Sequence, residues 1–310
     1  MINSFVKLMK SEGIQDNVLR TFTAYYDKLV KGENFMIASE DINPPSATNL
    51  IEYDTIKEHQ KPDILKHIAV IKLNGGLGTS MGLSSAKSLL PVKGNMNFLD
   101  IIVRQVLTLN AASGYDVQLM FMNSFATEED TLKYLERYPD ILKQKLPVSF
   151  VQNKFPRILK DGFGVYQAKE AYKSWNPPGH GDIYTAITKD NILGKLISAG
   201  YRYAFVSNSD NLGAKIDTSI PAYLEDNNVP FLMEVCHRTS MDRKGGHLCE
   251  DKNGQLLLRE IAQCAEDDLD QFQNVEYYRY FNTNNLWIDL KALEWHLISN
   301  DGLIDRKSVV

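Results

Sequence analysis

Residues 68–88 read IAVIKLNGGLGTSMGLSSAKS, and the interpretation of the whole chain starts from this stretch. Residues 68–73 are mostly apolar and include β-branched side chains, which predicts a buried strand. The strand should end at Asn74, because four glycines follow it closely: Gly75, Gly76, Gly78 and Gly82. Glycine tolerates positive φ and has no Cβ, so such a loop can turn sharply and bring backbone N–H groups against an anion. Lys87 follows as a flexible positive charge suited to a phosphate group.

Two familiar phosphate-binding loops do not fit this stretch. A Walker loop needs a glycine directly before its lysine and another glycine five residues earlier. Those places hold Ala86 and Met81. The dinucleotide pattern beginning at Gly76 fails as well, because Met81 stands where its third glycine should be. The sequence therefore disfavours a P-loop ATPase and an ordinary dehydrogenase, and a plain glycine-rich connection is the structural alternative.

The composition is that of an ordinary soluble globular protein. The chain has 310 residues, of which 44% are hydrophobic and 24% charged. A net charge of −5 disfavours a nucleic-acid-binding protein, which would need a basic face. No apolar run approaches the ~18 residues of a membrane span, and the N-terminus lacks the features of a signal peptide. We therefore expect a cytoplasmic protein with no nucleic-acid or membrane partner.

The order of the elements predicts an α/β fold with a mostly parallel sheet. Residues 2–31 show helical spacing of apolar residues interrupted near Gly13, which predicts two amphipathic helices. We interpret residues 1–60 as an N-terminal helical subdomain and residues 61–310 as the main domain. In the latter, apolar runs at 68–73, 117–122, 148–151 and 203–206 predict strands, and helices are predicted to start at Asn97, Thr127 and Asp190.

Ligands of parallel sheets lie beyond the carboxyl ends of the strands. The loops to consider therefore start at Asn74, Asn123, Gln152 and Ser207. Gln152 offers a donor and an acceptor together, as a uracil edge requires, although a loop glutamine bonded to its own surroundings is the structural alternative.

Further polar candidates lie in later loops. His180 lies between two glycines that expose its ring, although a lone histidine is more often structural. Asp210 follows the last of the four predicted strands and is suited to Mg²⁺, unless this Asx-rich segment only caps a turn. Glu260 and Asn284 could bond to sugar hydroxyl groups, or could be ordinary turn and strand residues.

Several of these segments resemble a known family. LNGGLGTSMG, residues 73–82, together with Lys87, resembles the signature of the eukaryotic-type UTP–glucose-1-phosphate uridylyltransferases, also called UDP-glucose pyrophosphorylases. Further blocks between about residue 60 and residue 290 resemble this family in the same order: AKS, FLDIIVRQ, MNSF, PPGHGD, FVSNSDNLG, KGG and FNTNNLW. The resemblance implies a Rossmann-like nucleotidyltransferase domain with a central mixed sheet. It also implies Mg²⁺-dependent formation of UDP-glucose and pyrophosphate from UTP and glucose 1-phosphate.

The resemblance assigns roles to residues at matching positions. Lys87 would be the catalytic residue that holds the triphosphate, and Asp210 would carry Mg²⁺. The nucleotide would be bound by Leu73, Asn74, Gly75, Gly76, Gln152 and Gly179. The sugar and its phosphate would be bound by His180, Asn208, Ser209, Asp210, Glu260 and Asn284.

The chain departs from the family pattern at two places. Ser85-Ala86 replaces the usual Gly-Pro before the lysine, as in some bacterial relatives, so we expect a bacterial member. Family members also continue with a second active-site lysine and a β-helical C-terminal domain, and neither occurs before Val310. We therefore expect a shortened chain. The alternatives are an enzyme for another sugar phosphate, such as N-acetylglucosamine 1-phosphate, and a truncated, catalytically weak module that binds UTP or UDP-sugar.

Overall fold

The computed structural model describes residues 1–77, 85–300 and 302. Ten α-helices lie within these residues: α1 Ile2–Ser11, α2 Asp16–Val30, α3 Phe98–Ser113, α4 Glu128–Leu135, α5 Pro139–Leu142, α6 Ile183–Ala186, α7 Ile192–Ser198, α8 Ser219–Asn227, α9 Leu269–Phe272 and α10 Leu290–Ser299. Thirteen strands lie within the same residues: β1 Ile42–Asn43, β2 Ile68–Asn74, β3 Pro91–Lys93, β4 Met96–Asn97, β5 Gln118–Asn123, β6 Ser149–Val151, β7 Phe155–Pro156, β8 Trp175–Asn176, β9 Tyr203–Asn208, β10 Phe231–His237, β11 His247–Asp251, β12 Leu256–Arg259 and β13 Tyr280–Asp289.

The chain divides into two compact units. The first contains Met1–Glu33, Pro62–Ile216 and the described residues from Ile288 onward. The second contains Asn34–Lys61 and Asp217–Trp287.

Four parallel strands form the sheet of the first unit, in the order β9-β2-β5-β6. β2 is buried along its whole length, as its apolar sequence predicts. The register pairs Asn74 with Asn123, Asn123 with Val151, and Leu73 with Asn208. The strands therefore end at one common edge, and the four loops predicted to carry the site leave the sheet there.

Local sequence signals account for the helices of the first unit. Asn97 accepts a hydrogen bond from the Asp100 N–H and caps α3, and Gly114 ends that helix in the left-handed conformation. The predicted helix at Asp190 begins two residues late, because Asp190 and Asn191 both have positive φ, which a right-handed helix cannot contain. α1 and α2 are the two predicted N-terminal helices, and they pack around a common buried cluster: Phe5, Met9, Val18, Leu19, Phe22, Tyr26 and Trp175.

The second unit consists mainly of antiparallel strands. β11 pairs with β1, β12 and β13, each in antiparallel orientation, and β10 pairs with β13. The predicted α/β class with a mixed sheet is confirmed, with parallel strands in the first unit and antiparallel strands in the second. No helix among residues 1–77 and 85–300 is long and apolar enough to cross a membrane.

Candidate active site

The end of β2 is the base of the predicted glycine-rich loop. The Gly76 carbonyl accepts a hydrogen bond from Lys87 N–H at 3.0 Å, and Leu77 forms an isolated antiparallel bridge with Ala86. These two contacts join the ends of the loop and hold Lys87 beside β2. The other two glycines of the motif, Gly78 and Gly82, lie outside the described residues.

Lys87 lies next to Asp210. Its Nζ donates to Asp210 Oδ2 at 2.6 Å, and the two side chains retain 39% and 35% of their exposure. Asp210 follows β9, and its neighbour Ser209 donates its N–H to the Leu73 carbonyl at 3.1 Å. Asn208, the last residue of β9, lies opposite Leu73 in the register. The structure therefore brings five predicted site residues to one edge of the sheet: Leu73, Lys87, Asn208, Ser209 and Asp210.

The side chain of Asn74 supports this edge from within. Its Nδ2 donates to Asn123 Oδ1 at 2.7 Å and to Thr131 Oγ1 at 2.9 Å, and all three side chains are buried. The Asn74 carbonyl accepts from Thr127 Oγ1 at 2.8 Å. Because the side-chain amide of Asn74 donates its hydrogen bonds to Asn123 and Thr131, we expect the backbone that follows Asn74 to make any contact with a nucleotide.

Gln152 is packed directly against the glycine-rich loop. A Cβ on Gly75 would overlap the Gln152 Nε2 atom, so glycine is required at this close approach. Gln152 is buried, and its Oε1 has no hydrogen-bond partner among the described residues. An unpaired buried acceptor is costly, and a ligand that donates a hydrogen bond here would remove that cost.

Asp182 joins the loop after Gln152 to the turn that contains His180. Its carboxylate accepts from Asn153 N at 2.6 Å, Asn153 Nδ2 at 2.8 Å and Thr185 Oγ1 at 2.6 Å. Burial raises the pKa of the Asp182 carboxyl above its usual value, against the opposing effect of these hydrogen bonds. Asp182 lies within the PPGHGD motif, but no role was predicted for it from the sequence.

The two predicted residues of this turn, Gly179 and His180, are exposed. Gly179 has φ of +104°, a conformation that a residue with a side chain rarely adopts. His180 starts the short 3₁₀ turn His180–Asp182, in which His180 is exposed and Asp182 is buried.

Glu260 and Asn284 belong to the second unit. The Glu260 carboxylate lies against the backbone of Gly246, where an added Cβ would be 2.5 Å from Oε1. It also forms a capping box with Gln263, so the structural role considered for Glu260 is present. Asn284 has φ of +57° within β13, and its N–H donates to Asn282 Oδ1 at 2.8 Å. A left-handed asparagine inside a strand is a strained conformation.

The donor set at Asp210 fits Mg²⁺ bound together with a phosphate group. Among residues 1–77 and 85–300, no group of three or more His, Cys, Asp or Glu side chains could form a metal cage. Mg²⁺ is commonly held by one or two carboxylates, with water and substrate phosphates completing its shell. The partly exposed carboxylate of Asp210 meets this requirement.

A parallel sheet with a glycine-rich loop and charged side chains at its carboxyl edge is typical of nucleotide-binding α/β proteins. The family model described as UTP–glucose-1-phosphate uridylyltransferase matches residues 19–306. The chain belongs to this family.

Individual relatives agree with that assignment. The probable UTP–glucose-1-phosphate uridylyltransferase of Schizosaccharomyces pombe is 38% identical over 306 residues, which cover 95% of this chain and 59% of that protein. The enzyme of Musa acuminata is 36% identical, over 94% of this chain and 63% of that protein. The chain therefore spans about three fifths of the length of these relatives.

Solved structures show the same fold. UDP-glucose phosphorylase from Trypanosoma brucei has a TM-score of 0.92 at 36% identity, over 98% of this chain and 65% of that chain. A variant of UDP-glucose pyrophosphorylase from Leishmania major in complex with UDP-glucose has a TM-score of 0.90 at 41% identity, over 97% of this chain and 65% of that chain.

Proposed function

We propose that this chain carries the site of a nucleotidyltransferase that makes UDP-glucose and pyrophosphate from UTP and glucose 1-phosphate. The observation that carries the proposal is the 2.6 Å contact between Lys87 Nζ and Asp210 Oδ2 at the carboxyl edge of the sheet. It presents a cation and a metal-binding anion together where a glycine-rich loop leaves a strand, as a triphosphate with its metal requires. The names of the relatives and the UDP-glucose in the Leishmania structure support this choice of substrates.

In the proposed reaction a phosphate oxygen of glucose 1-phosphate attacks the α-phosphorus of UTP. The bond from that phosphorus to the oxygen bridging to the β-phosphate breaks, and pyrophosphate leaves with the electron pair. Sugar phosphates are largely ionised at neutral pH, so no general base is needed. Catalysis then depends on in-line alignment and on neutralising the developing negative charge. Lys87 supplies positive charge, and the backbone that follows Asn74, at Gly75 and Gly76, supplies N–H donors.

Gln152 and Gly179 would read the uracil. The unpaired Oε1 of Gln152 can accept from the N3–H of uracil, whereas cytosine presents an acceptor at N3. Asp182 would fix the position of Gln152 by binding the next residue, Asn153, to the turn that follows Gly179.

Glucose 1-phosphate would be bound mainly by polar side chains. The residues of the first unit proposed to contact the sugar or its phosphate are His180, Asn208, Ser209 and Asp210. Asp210 would also hold Mg²⁺, which when bound supplies further neutralisation of the phosphate charge.

The test is pyrophosphate release from UTP, glucose 1-phosphate and Mg²⁺ by the unmodified chain and by the Lys87→Ala variant. Lys133→Ala is the matched control, because Lys133 is an exposed lysine on α4. We expect turnover that Lys87→Ala lowers by at least about 100-fold and that the control leaves unchanged. Replacing glucose 1-phosphate by N-acetylglucosamine 1-phosphate tests which sugar phosphate the chain accepts. If there is no turnover but UTP raises Tm, the chain is a binding module. If there is no turnover and UTP leaves Tm unchanged, the proposal is refuted.

A further inference from the structure

One charged residue lies inside the buried strand β2. Lys72 is 3% exposed, and the strand residues on either side of it, Ile71 and Leu73, are buried and apolar. Its Nζ donates to Ser207 Oγ at 2.7 Å and to the Ala214 carbonyl at 3.2 Å. The nucleotidyl-transfer scheme above gives this ammonium group no role.

The two acceptors enclose a functionally important segment. Ser207 is directly opposite Lys72 in the register, one residue before the end of β9. Ala214 follows the segment Asn208–Gly213, which contains Asp210. Lys72 therefore binds the residue just before this segment and the residue just after it, and so connects its two ends.

Contacts within the segment and from α3 also hold it, and Lys72 adds a contact from β2 to the residue that follows it. Within the segment, Ser209 N–H donates to the Leu73 carbonyl at 3.1 Å and Gln105 Nε2 donates to the Leu212 carbonyl at 3.1 Å. Asn211 N–H also donates to the Asn208 carbonyl at 3.2 Å, and Ala214 N–H donates to the Asn211 carbonyl at 3.3 Å. The bond from Lys72 to the Ala214 carbonyl ties these turns to β2, and a lysine side chain is long enough to reach that carbonyl from within the sheet.

Burying an ammonium group is unfavourable even when it is hydrogen-bonded. The ammonium group also lies 5.7 Å from the centroid of the Phe205 ring, a contact that offsets part of this cost. A methionine would occupy much of the same space without a desolvation cost, but it could not donate a hydrogen bond to the Ala214 carbonyl and so could not hold the end of the segment that carries Asp210.

We propose that Lys72 is a positioning residue for Asp210, acting through the closed segment Asn208–Gly213. In this role it holds the Asp210 carboxylate beside Lys87, where the sugar phosphate and Mg²⁺ would meet it. The inference rests on the proposed function for its catalytic consequence, whereas the closure of the segment can be measured without turnover.

The experiment compares the unmodified chain with Lys72→Met, Ser207→Ala and the control Lys66→Met, an exposed lysine just before β2. Hydrogen exchange of backbone amides 209–214 reports closure. We expect Lys72→Met to accelerate it at least about tenfold, while the amides of β5 keep their protection. Ser207→Ala removes only one acceptor and should have a smaller effect. Unchanged exchange at 209–214 in a folded Lys72→Met chain would overturn the proposal.

Kinetics separate positioning from general stability. For Lys72→Met we expect kcat to fall about 10- to 100-fold and the Mg²⁺ concentration needed for half-maximal rate to rise, while Tm changes little. A fall in kcat at an unchanged Mg²⁺ requirement, accompanied by a lower Tm, would indicate a structural role and would contradict the proposal. If the unmodified chain has no turnover, the proposed function fails, and the exchange measurement still decides whether Lys72 closes the segment.

Discussion

Lys87 and Asp210 are 123 positions apart in the sequence, yet Lys87 Nζ donates to Asp210 Oδ2 at 2.6 Å. Both side chains remain more than a third exposed. Exposed ion pairs contribute little to stability, so this contact serves mainly to bring opposite charges together at the edge of the sheet. A ligand can reach either charge from solvent.

The first prediction separates stability from function for this pair. In a double-mutant cycle of Lys87→Met and Asp210→Asn, denaturant unfolding should give a coupling energy below about 1 kcal/mol, as for other exposed pairs. Pyrophosphate release should nevertheless fall by at least about 100-fold in each single variant. A large coupling energy with retained turnover would instead make the pair a structural contact.

The parallel half of the fold could be predicted from sequence because its signals are local. β2 and β5 are apolar runs, and α3 has a cap at Asn97 and a stop at Gly114. The antiparallel strands β10 to β12 were not predicted. Residues 231–237 in β10 are partly buried or exposed, and Glu234 interrupts their apolar side chains, so neither a continuous apolar run nor a clear alternation marks them.

The grouping of the candidate site residues was predictable where it follows from the edge of a parallel sheet. That rule placed Asn74, Asn208 and Gln152 at one edge, and the register aligns the ends of their strands there. It did not identify Lys72 or Asp182. Their importance depends on which distant atoms they contact, and a sequence pattern does not specify those partners.

The second prediction concerns the choice of base. In Gln152→Met the buried acceptor is lost, so the preference for UTP over CTP should fall about 5- to 100-fold, the effect of removing one buried hydrogen bond. The measurement is kcat/KM for each nucleotide at fixed glucose 1-phosphate. An unchanged ratio would show that Gln152 Oε1 does not read the base.

The third prediction tests the close approach of Gly75 and Gln152. A Cβ at Gly75 must displace the end of the Gln152 side chain. Gly75→Ala should therefore weaken the binding of UTP about tenfold, as a hydrogen bond to the base is lost. In a Gln152→Ala background the new Cβ has room, so Gly75→Ala should cause little further loss. UTP binding is measured from the rise in Tm with UTP concentration in the unmodified chain, the two single variants and the double variant. If the two substitutions weaken UTP binding additively, the prediction is wrong.

The fourth prediction concerns Asp182. An asparagine there turns one of its acceptors into a donor that faces Asn153, so Asp182→Asn should destabilise the chain by about 1–3 kcal/mol. KM for UTP should rise as well, because Asn153 follows Gln152. Thr185→Val is the milder control, since it removes one of the three hydrogen bonds to Asp182. Equal stability of the Asp182→Asn variant and the unmodified chain, measured by denaturant unfolding, would argue against this network.

The fifth prediction concerns pH and a buried histidine of the second unit. His247 has 0% exposure, stacks on Tyr278 with ring centroids 3.9 Å apart, and contacts Phe272 at 4.8 Å. Burial, with added repulsion from Arg238 and Arg259, lowers its pKa from 6.5 to about 3, and the backbone of Leu248 and the charge of Asp268 only partly oppose this. The folded chain therefore keeps the ring neutral at pH values where the unfolded chain protonates it.

As the pH falls below 6.5 the unfolded chain gains a proton that the folded chain does not, so stability decreases by up to about 1.4 kcal/mol per pH unit until the pH approaches 3. Between pH 8 and pH 5 this single group should cost about 2 kcal/mol. His247→Phe keeps an aromatic ring between Phe272 and Tyr278 and should lack that loss, whereas His237→Phe, at an exposed position, should retain it. Denaturant unfolding of the three chains at pH 8 and pH 5 makes the comparison. If the unmodified and His247→Phe chains lose equal stability, the ring is not held neutral by burial.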